Sequence, residues 1–304
     1  MKKYLENYKL EKPMYGIDVS MWQGEIDFEK AKKEGVEFVI IKATEATFID
    51  PLFDRNYEAA KKAGLKVGAY MYLTAVNSMQ AIDQAKFFNN VICNKVFEMP
   101  LFVDREDSLF FSGERKTANT AILKSALHYL NTICLYVCGI YTYSYYLKNY
   151  LDYDMIKSEI LWCGEIAEKL PSPEFDIWQF GGDKNLIKSP NVANVICDQN
   201  YCYYDFPAYI KDRKEGKNMN FPGNDNSPSV WSSEAVKWAI ETGLIKGDEG
   251  GLRLRDYITR EEMLTILKRY DELKGDSKNG TSFSVNRNIW LSNCGMCFSR
   301  YRLL

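Results

Sequence analysis

The stretch "EFVIIKATEATFIDPLFDRNYEAAKKAGLKVGAYMYL", residues 37–73, decides the fold of the larger part of the chain. It opens with an apolar run at 37–43 that has the length and the β-branched content of a buried strand. An amphipathic segment follows at 53–64 and finishes in Gly64, the residue type expected just after a helix. A second apolar run at 66–73 completes a strand–helix–strand unit, which favours two parallel strands joined by a crossover helix.

The same alternation continues on both sides of this stretch, up to residue 210. The further candidate strands are residues 14–19, 99–106, 134–143, 159–164, 175–180 and 194–200, and the further candidate helices are 28–35, 78–92 and 117–133. Strands that are apolar throughout and alternate with helices predict a parallel sheet buried on both faces. About eight such strands within roughly 200 residues predict an α/β fold, a (β/α) barrel that is irregular, with some helices short or missing. A doubly wound open sheet is the alternative.

The composition argues against several kinds of partner. The 304 residues carry a formal net charge of −2, which speaks against a nucleic-acid-binding protein. No run of 18 or more apolar residues occurs, so no membrane span is expected. The first 16 residues lack the apolar core of a signal peptide, so we expect synthesis in the cytoplasm without that export route. The eight cysteines lie mostly in apolar runs and are interpreted as buried free thiols.

The residue inventory also argues against most catalytic chemistries. The single histidine, His128, lies inside a predicted helix, and we expect it to be structural. Its isolation counts against Ser-His-Asp and Cys-His nucleophile systems and against histidine-rich zinc sites. No glycine-rich phosphate-binding loop follows a strand, and Cys294 with Cys297 forms a lone CxxC without a partnering pair. We therefore predict no metal and no cofactor, and carboxylate chemistry remains.

Acidic residues lie at the carboxyl ends of several of the predicted strands. They are Asp18, Asp104, Glu106 and Asp198. Because the carboxyl ends of barrel strands meet at one mouth, these four acids are expected to face one cleft. Asp104 and Glu106 lie two apart on an extended chain and should point to the same side, with Arg105 and Asp107 on the other. Like charges raise at least one pKa, and a protonated acid beside an ionised one is what cleavage of a glycosidic bond requires.

A set of motifs in fixed order carries a resemblance to a known family. They are "YGIDVSMWQGEIDF" (15–28), the stretch 38–73 with its K-A-T-E element, "LFVDRED" (101–107), "YTYSYY" (141–146), "LWCGEI" (161–166), "DIWQF" (176–180) and "NVICDQNYCYYDF" (194–206). Together they resemble glycoside hydrolase family 25, the Chalaropsis-type lysozymes common among phage endolysins, over about residues 14–206. The resemblance implies an N-acetylmuramidase, an endolysin or autolysin that hydrolyses the β-1,4 bond between N-acetylmuramic acid and N-acetylglucosamine in peptidoglycan.

The resemblance also implies roles for individual residues. Glu106 would be the general acid that protonates the glycosidic oxygen. Asp104 would be its partner, stabilising positive charge at the sugar carbon or steering the acetamido group of the substrate, while Asp18 and Asp198 complete the acidic floor. The side chains implied to bind substrate are Tyr70, Tyr72, Tyr141, Trp162 and Gln179.

The chain departs from the family pattern at a few positions. Met71 stands where a histidine usually follows the tyrosine, Met21 replaces a polar residue, and "LWCGEI" lacks the usual Ala-x-Tyr after its tryptophan. These changes affect substrate fit and rate more than the type of reaction. Two alternatives remain open: a chitinase-like hydrolase of acetamido sugars, whose fuller acidic pattern is missing from residues 97–106, and a non-catalytic protein that binds the cell wall.

The chain divides by composition into four parts. We expect a catalytic barrel at 1–210, a polar linker rich in Gly, Pro and Asn at 211–228, a small helical module at 229–274 and a flexible tail at 275–304. The module opens its second helix with a capping box, Thr259 with Glu262, and is similar to an S-layer homology repeat. That resemblance implies binding to a secondary cell-wall polymer, the alternative being a helical appendage that packs on the barrel. The protein would then act at the bacterial wall after release, for instance by a phage holin.

Overall fold

The computed structural model describes residues 5–106, 115–133, 136–167, 175–182, 191–214, 233–246 and 260–275. The chain divides into two compact units, residues 1–217 and 218–304, which are described separately. Among the described residues, no helix is long and apolar enough to cross a lipid bilayer.

The first unit is built on a closed barrel. Its strands are β1 (Lys9–Val19), β2 (Phe38–Glu45), β3 (Phe48–Ile49), β4 (Lys66–Tyr72), β5 (Leu101–Asp104), β6 (Cys138–Tyr143), β7 (Ile160–Gly164), β8 (Ile177–Gly181) and β9 (Asp198–Tyr204). The spatial order is β1-β9-β8-β7-β6-β5-β4-β2, and β2 pairs back onto β1, while β3 only forms a short hairpin with β2. The predicted barrel is confirmed, and the closing β1–β2 pair rules out the open doubly wound sheet.

Helices follow most of the strands. They are α1 (Phe28–Lys33), α2 (Phe53–Lys62), α3 (Ser78–Ile92), α4 (Lys116–His128), α5 (Ser144–Tyr150), α6 (Tyr153–Ile156) and α7 (Phe206–Lys214). Gly35 and Gly64, predicted as helix ends, adopt φ of +99° and +73°, the left-handed conformation that glycine accepts without strain. The described residues between β7 and β8 and between β8 and β9 contain no helix, and α1 and α6 are short. The barrel is therefore irregular, as predicted.

The last barrel strand differs from the sequence-based expectation. The prediction placed it at 194–200 and parallel to its neighbours, but β9 begins at Asp198 and pairs antiparallel with both β1 and β8. A tight turn occupies the preceding residues: Val192 and Val195 exchange two backbone hydrogen bonds, and Ala193 has a φ of +50°. This turn reverses the chain, and Val192, Ala193 and the nearby Cys197 are buried against the core.

Two layers of apolar side chains stabilise the barrel. On β2, Phe38 and Ile40 belong to the cluster inside the barrel, whereas Val39 and Ile41 belong to the cluster between barrel and helices. This alternation is the period of two expected for strands whose two faces are both buried. A Cβ at Gly16 would lie 2.4 Å from the Phe38 ring, so glycine is needed for the close packing inside. Every second residue of a strand continues to point into the barrel toward its carboxyl end, where the inward-pointing residues are polar instead of apolar.

The end of the first unit corrects the predicted linker. Residues 211–214 were expected in the linker at 211–228, but they form the last turn of α7. Tyr209 and Ile210 are buried in the interior cluster, and Tyr8 donates a hydrogen bond to Asp212 at 2.9 Å, so this segment packs on the barrel. The remaining linker residues lie outside the described part of the chain.

The second unit contains two described helices, α8 (Ser233–Glu241) and α9 (Arg260–Gly275). Ala239 and Leu244 are buried, while Ile240 is exposed. After α8 the chain turns at Gly243, which has a φ of +72°, a conformation that glycine accepts without strain. Thr259 of the predicted capping box and the predicted tail beyond Gly275 lie outside the described residues.

Candidate active site

The four acids predicted to share a cleft lie at one end of the barrel. Asp18 is near the end of β1, Asp104 is the last residue of β5, and Glu106 follows two residues later. Asp198 reaches the same end for a reason that the sequence did not indicate: it starts β9 instead of following a strand. Because β9 is antiparallel, its first residue lies beside the last residues of the parallel strands, and it pairs directly with Asp18.

Asp18 is held by a network of buried side chains. Its Oδ2 accepts hydrogen bonds from Gln179 Nε2 at 2.9 Å and Asn200 Nδ2 at 2.7 Å. Gln179 Oε1 in turn accepts from the Tyr141 hydroxyl at 2.7 Å, and Asn200 Oδ1 accepts from Trp162 Nε1 at 2.8 Å. Each amide therefore has its carbonyl occupied by a ring donor, which leaves its NH₂ group to face the carboxylate.

Two glycines make room for this side of the mouth. A Cβ at Gly164 would lie 2.9 Å from the Tyr141 hydroxyl and 3.0 Å from Gln179 Oε1, and would crowd their hydrogen bond. A Cβ at Gly182 would lie only 2.0 Å from Asp198 Oδ1, so the backbone just after β8 approaches that carboxylate directly. Larger residues at either position would displace groups of the acidic floor.

The protonation of Asp18 depends on opposing influences. Burial raises the pKa of Asp18 well above its usual value, and the charge of Asp198 raises it further. The hydrogen bonds from Asn200 and Gln179 act in the opposite direction, because they stabilise the ionised form. Asp18 and Asp198 are thus electrostatically linked, and Glu106 adds a smaller repulsion from across the mouth.

Asp104 is equally buried but has fewer donors around it. Within the described part of the chain, its Oδ1 is a buried oxygen without a hydrogen-bond partner. Burial raises the pKa of Asp104 well above its usual value, the charge of Glu106 raises it next, and the positive charge of Lys42 lowers it. Glu106 itself is partly exposed to solvent. The pair therefore combines a carboxylate at the bottom of the cleft with one nearer its opening.

Arg105 fixes the direction of the strand end that carries this pair. Its side chain is fully buried on the opposite side, and its guanidinium donates to the carbonyls of Leu73 at 3.4 Å and Ala75 at 2.5 Å. Its own carbonyl accepts from the Thr142 hydroxyl at 2.6 Å. Burial lowers the pKa of Arg105 to about 10, so the guanidinium stays protonated at neutral pH. Arg105 thus points to the side of the strand opposite Asp104, as predicted. Asp107 lies outside the described residues.

The five predicted substrate-binding residues all surround this mouth. Tyr70 meets the Trp162 ring edge-on at 6.1 Å, and Tyr141 lies 4.3 Å from the same ring. Trp162, Tyr141 and Gln179 are almost completely buried, so their described contacts support Asp18, whereas Tyr70 and Tyr72 keep accessible surface. Burial raises the pKa of Tyr70 and of Tyr141, so both hydroxyls remain protonated donors.

Sequence reasoning missed two polar residues of the mouth. Lys42 forms an ion pair with Glu45 at 2.5 Å and lies 4.9 Å from the centre of the Tyr72 ring. Asn200 is one of the two donors to Asp18. The alternation of side chains along a strand could have identified Lys42 and Asn200. Lys42 follows Phe38 and Ile40 at steps of two, and Asn200 lies two residues after Asp198.

Together these residues can perform acid–base chemistry on a polar substrate. Burial and like charges raise the pKa of Asp18 and of Asp104 and so favour their protonated forms. One protonated acid can donate a proton to a leaving oxygen, while an ionised partner stabilises a developing positive charge. His128, at the exposed end of α4, takes no part in this arrangement.

Known proteins with similar sequences or folds include several lysozymes. The autolytic lysozyme of Clostridium acetobutylicum is 35% identical over 160 residues, which cover 52% of this chain and 47% of that protein. This chain thus spans at most about half the length of the curated relatives it matches. Among solved structures, the bacterial lysozyme from Streptomyces coelicolor superposes with a TM-score of 0.55 at 23% identity, covering 67% of this chain and 99% of that one. The muramidase from Acremonium alcalophilum gives a TM-score of 0.56 at 23% identity, covering 67% and 100%.

Family models match both units of the chain. The S-layer homology domain matches residues 225–264, in the second unit. The model described as glycosyl hydrolases family 25 matches residues 17–188, which is more than half of the chain and contains Asp18, Asp104 and Glu106. The fold of the solved lysozymes and the acidic barrel mouth agree with this match. The chain belongs to glycosyl hydrolases family 25.

Proposed function

We propose that this protein is an N-acetylmuramidase that hydrolyses the β-1,4 bond between N-acetylmuramic acid and N-acetylglucosamine in peptidoglycan. The observation that carries the proposal is the pair Asp104 and Glu106 in a barrel mouth whose third acid, Asp18, is fixed by two amide donors. Membership in glycosyl hydrolases family 25 and the 35% identity to an autolytic lysozyme support this activity over chitinase-like hydrolysis.

In this proposal, Glu106 is the general acid. Asp104 and Glu106 repel one another when both are ionised, which raises the pKa of Asp104 and favours a state in which the pair keeps one proton. We assign that proton to Glu106, and the positive charge of Lys42, which lowers the pKa of Asp104, supports the ionised form of Asp104. Glu106 then donates it to the glycosidic oxygen as the bond to the sugar carbon breaks, and the departing sugar leaves as an alcohol.

Asp104 is the partner carboxylate. In its ionised form it stabilises the positive charge that develops at the sugar carbon. Its Oδ1, which lacks a protein partner among the described residues, is suited to accept the N–H of the acetamido group of the substrate. Asp18 and Asp198 hold the floor of the cleft and position sugar or water, while Tyr70 and Tyr72 line the side that remains accessible.

The decisive experiment measures cleavage of isolated cell walls by the purified protein. We expect new reducing ends that carry muramic acid, with fragments whose masses correspond to disaccharide repeats. Glu106→Gln should lower the rate by about 10²–10⁴-fold, because the amide cannot donate the proton. If the natural protein releases no muramic-acid reducing ends, the proposed activity is wrong. If Glu106→Gln is as active as the natural protein, the assignment of the general acid is wrong.

We further propose that the second unit binds a secondary cell-wall polymer and that the protein acts at the bacterial wall as an endolysin or autolysin. The S-layer homology match at residues 225–264 supports this binding. Sedimentation with walls should retain the full chain better than a chain truncated after residue 217, the boundary between the two units. Acid extraction of the secondary polymers should abolish that difference. Equal retention of both chains on untreated walls would contradict the binding role.

A further inference from the structure

A lysine lies inside the acidic mouth, close to the partner carboxylate. Lys42 follows Phe38 and Ile40 on the inward face of β2, and its side chain is only 11% exposed. Its ammonium group lies 4.9 Å from the centre of the Tyr72 ring, on the neighbouring strand β4. Tyr72 pairs in turn with Asp104 on β5, so a single strand separates Lys42 from Asp104. The positive charge of Lys42 accordingly lowers the pKa of Asp104.

The ion pair with Glu45 does not account for the placement of Lys42. Among the described residues, Lys42 Nζ donates to one acceptor, Glu45 Oε2 at 2.5 Å, and the side chain of Glu45 is 53% exposed. An ion pair whose acid is in contact with water contributes little to stability, whereas burial of the ammonium group has a cost. An ammonium group has three N–H donors, so two of them are used by no described residue. Lys42 therefore combines a largely buried charge with donors that a ligand can use.

The charges around Lys42 restrict what it can bind. The side chains whose charges act on Asp104 or Asp18 beside it are acidic, namely Glu45, Glu106 and Asp198. Arg105 does not balance them, because its guanidinium donates to backbone carbonyls on the opposite side of the strand. A ligand group that carries a carboxylate or a strong carbonyl acceptor would be repelled in such a mouth unless a cation receives it. Lys42 is placed to be that cation.

We propose that Lys42 binds the lactyl group of N-acetylmuramic acid and thereby selects this sugar over N-acetylglucosamine. The inference rests on the proposed function, which assigns the acetamido N–H of the sugar to Asp104 Oδ1. The lactyl ether is attached to the ring carbon next to the one that carries the acetamido group, so it lies within reach of a side chain beside Asp104. Its carbonyl oxygen accepts from Lys42 Nζ, both as a free carboxylate and as the amide that joins the stem peptide. N-acetylglucosamine has only a hydroxyl at this position.

The test measures the binding of two soluble tetrasaccharides to the full chain. One consists of two repeats of N-acetylglucosamine and N-acetylmuramic acid without peptide, and the other is chitotetraose, which differs only in lacking the lactyl groups. Calorimetry on the Glu106→Gln protein avoids cleavage of either ligand, and about 0.5 M salt screens long-range attraction. We expect the muramyl tetrasaccharide to bind more tightly than chitotetraose. Adding Lys42→Met should weaken the muramyl tetrasaccharide about tenfold, as for the loss of a hydrogen bond from a charged donor, and should change the Kd of chitotetraose less than about twofold.

Lys95→Met is the matched control for this variant. The Lys95 side chain is 14% exposed, and its Nζ pairs with the exposed Asp54 at 2.8 Å and lies 4.3 Å from the centre of the Tyr57 ring. Lys95 therefore resembles Lys42 in burial and contacts, but it precedes β5, at the end of the barrel opposite the acids. Its replacement should change neither Kd.

Three results would overturn the inference. They are equal binding of the two tetrasaccharides to the Glu106→Gln protein, an equal loss of both ligands in Lys42→Met, and an unchanged Kd of the muramyl tetrasaccharide in Lys42→Met. The first comparison needs no change at Lys42 and stays informative if that variant does not fold. A failure of the proposed function is recognised separately, because the natural protein would then release no muramic-acid reducing ends from cell walls, whereas the binding of the tetrasaccharides does not depend on cleavage.

Discussion

The two sides of the acidic mouth hold their carboxylates in different ways. On the β1 side, Asp18 Oδ2 accepts from two amides, each anchored by an aromatic donor. On the β5 side, Asp104 is just as buried, but within the described chain its Oδ1 accepts from no donor. A buried polar atom without a partner costs free energy that a saturated one does not. The β1 side therefore satisfies its buried carboxylate within the protein, whereas the β5 side leaves one buried acceptor oxygen without a partner among the described residues.

The largest expected effect comes from replacing Asp104. Asp104→Asn should lower kcat by about 10²-fold or more, because the amide cannot stabilise positive charge at the sugar carbon. The free energy of unfolding at neutral pH should stay unchanged or rise, because a buried ionisable group with an unpartnered oxygen is removed. Reducing-end assays and thermal unfolding measure the two effects.

The control for this variant is another buried acid. Asp176 precedes β8, and its Oδ2 accepts from the backbone N–H of Leu161 at 2.7 Å, at the other end of the barrel. Asp176→Asn should leave kcat within about twofold. If Asp104→Asn keeps its activity or unfolds much more easily, the contrast between the two sides of the mouth does not hold.

The next effect should appear on the β1 side as a loss of stability. Asn200→Leu removes a donor to Asp18 and leaves the buried Trp162 N–H without its acceptor. We expect a loss of about 1–3 kcal/mol in the free energy of unfolding, with reduced activity because Asp18 is no longer oriented. Urea denaturation at neutral pH gives the value.

Gln199→Leu on the same strand is the matched control for this loss. Gln199 accepts from the Tyr15 hydroxyl at 2.8 Å, and Tyr15 is only partly buried. The control should lose less stability than Asn200→Leu and should keep its activity. An equal loss of free energy of unfolding in both variants would show that the hydrogen bond from Asn200 to Asp18 does not contribute more to stability than another side-chain hydrogen bond of β9.

A smaller effect is expected in the pH profile when Lys42 is replaced. Its positive charge lowers the pKa of Asp104, so Lys42→Met should raise that pKa and move the acidic limb of kcat to higher pH. Because Glu45 already pairs with Lys42, the shift should be about one pH unit or less. Lys42→Arg keeps the positive charge and should leave the acidic limb of kcat at the pH found for the natural protein. An unshifted acidic limb in Lys42→Met would contradict the role of this charge.

The smallest effect concerns stability against pH. The folded-state pKa values of Asp18 and Asp104 are raised above the unfolded value of about 3.9, so the folded state binds these protons more tightly. Their contribution to stability is complete below about pH 3.9 and is lost as the pH rises through the folded-state values. Asp104→Asn should flatten this decline, which urea midpoints between pH 4 and 8 can measure. A decline as steep as in the natural protein would show that Asp104 does not contribute.

The sequence by itself determined the strand–helix alternation, the faces of the strands and most of the acids of the site. These properties are local: a period of two places Asp104 and Glu106 on one side of β5, with Arg105 opposite, wherever the strand lies. The family motifs added the order of the strand units and the roles expected for the acids. The motifs did not indicate which carboxylate oxygens of the site would accept hydrogen bonds from the protein and which would not.

Tertiary structure alone decided how the two sides of the mouth are completed. The direction of β9 depends on a turn at residues 192–195, and this direction brings Asp198 beside Asp18 and Asn200 onto its carboxylate. Asp18 and Asn200 are 182 positions apart in the sequence. A local sequence pattern does not indicate which distant amide will donate a hydrogen bond to a buried carboxylate oxygen. The order and direction of the strands determine which residues of a closed barrel are hydrogen-bonded to one another. Strand order and direction are properties of the whole sheet, so they cannot be inferred from the periodicity of one strand.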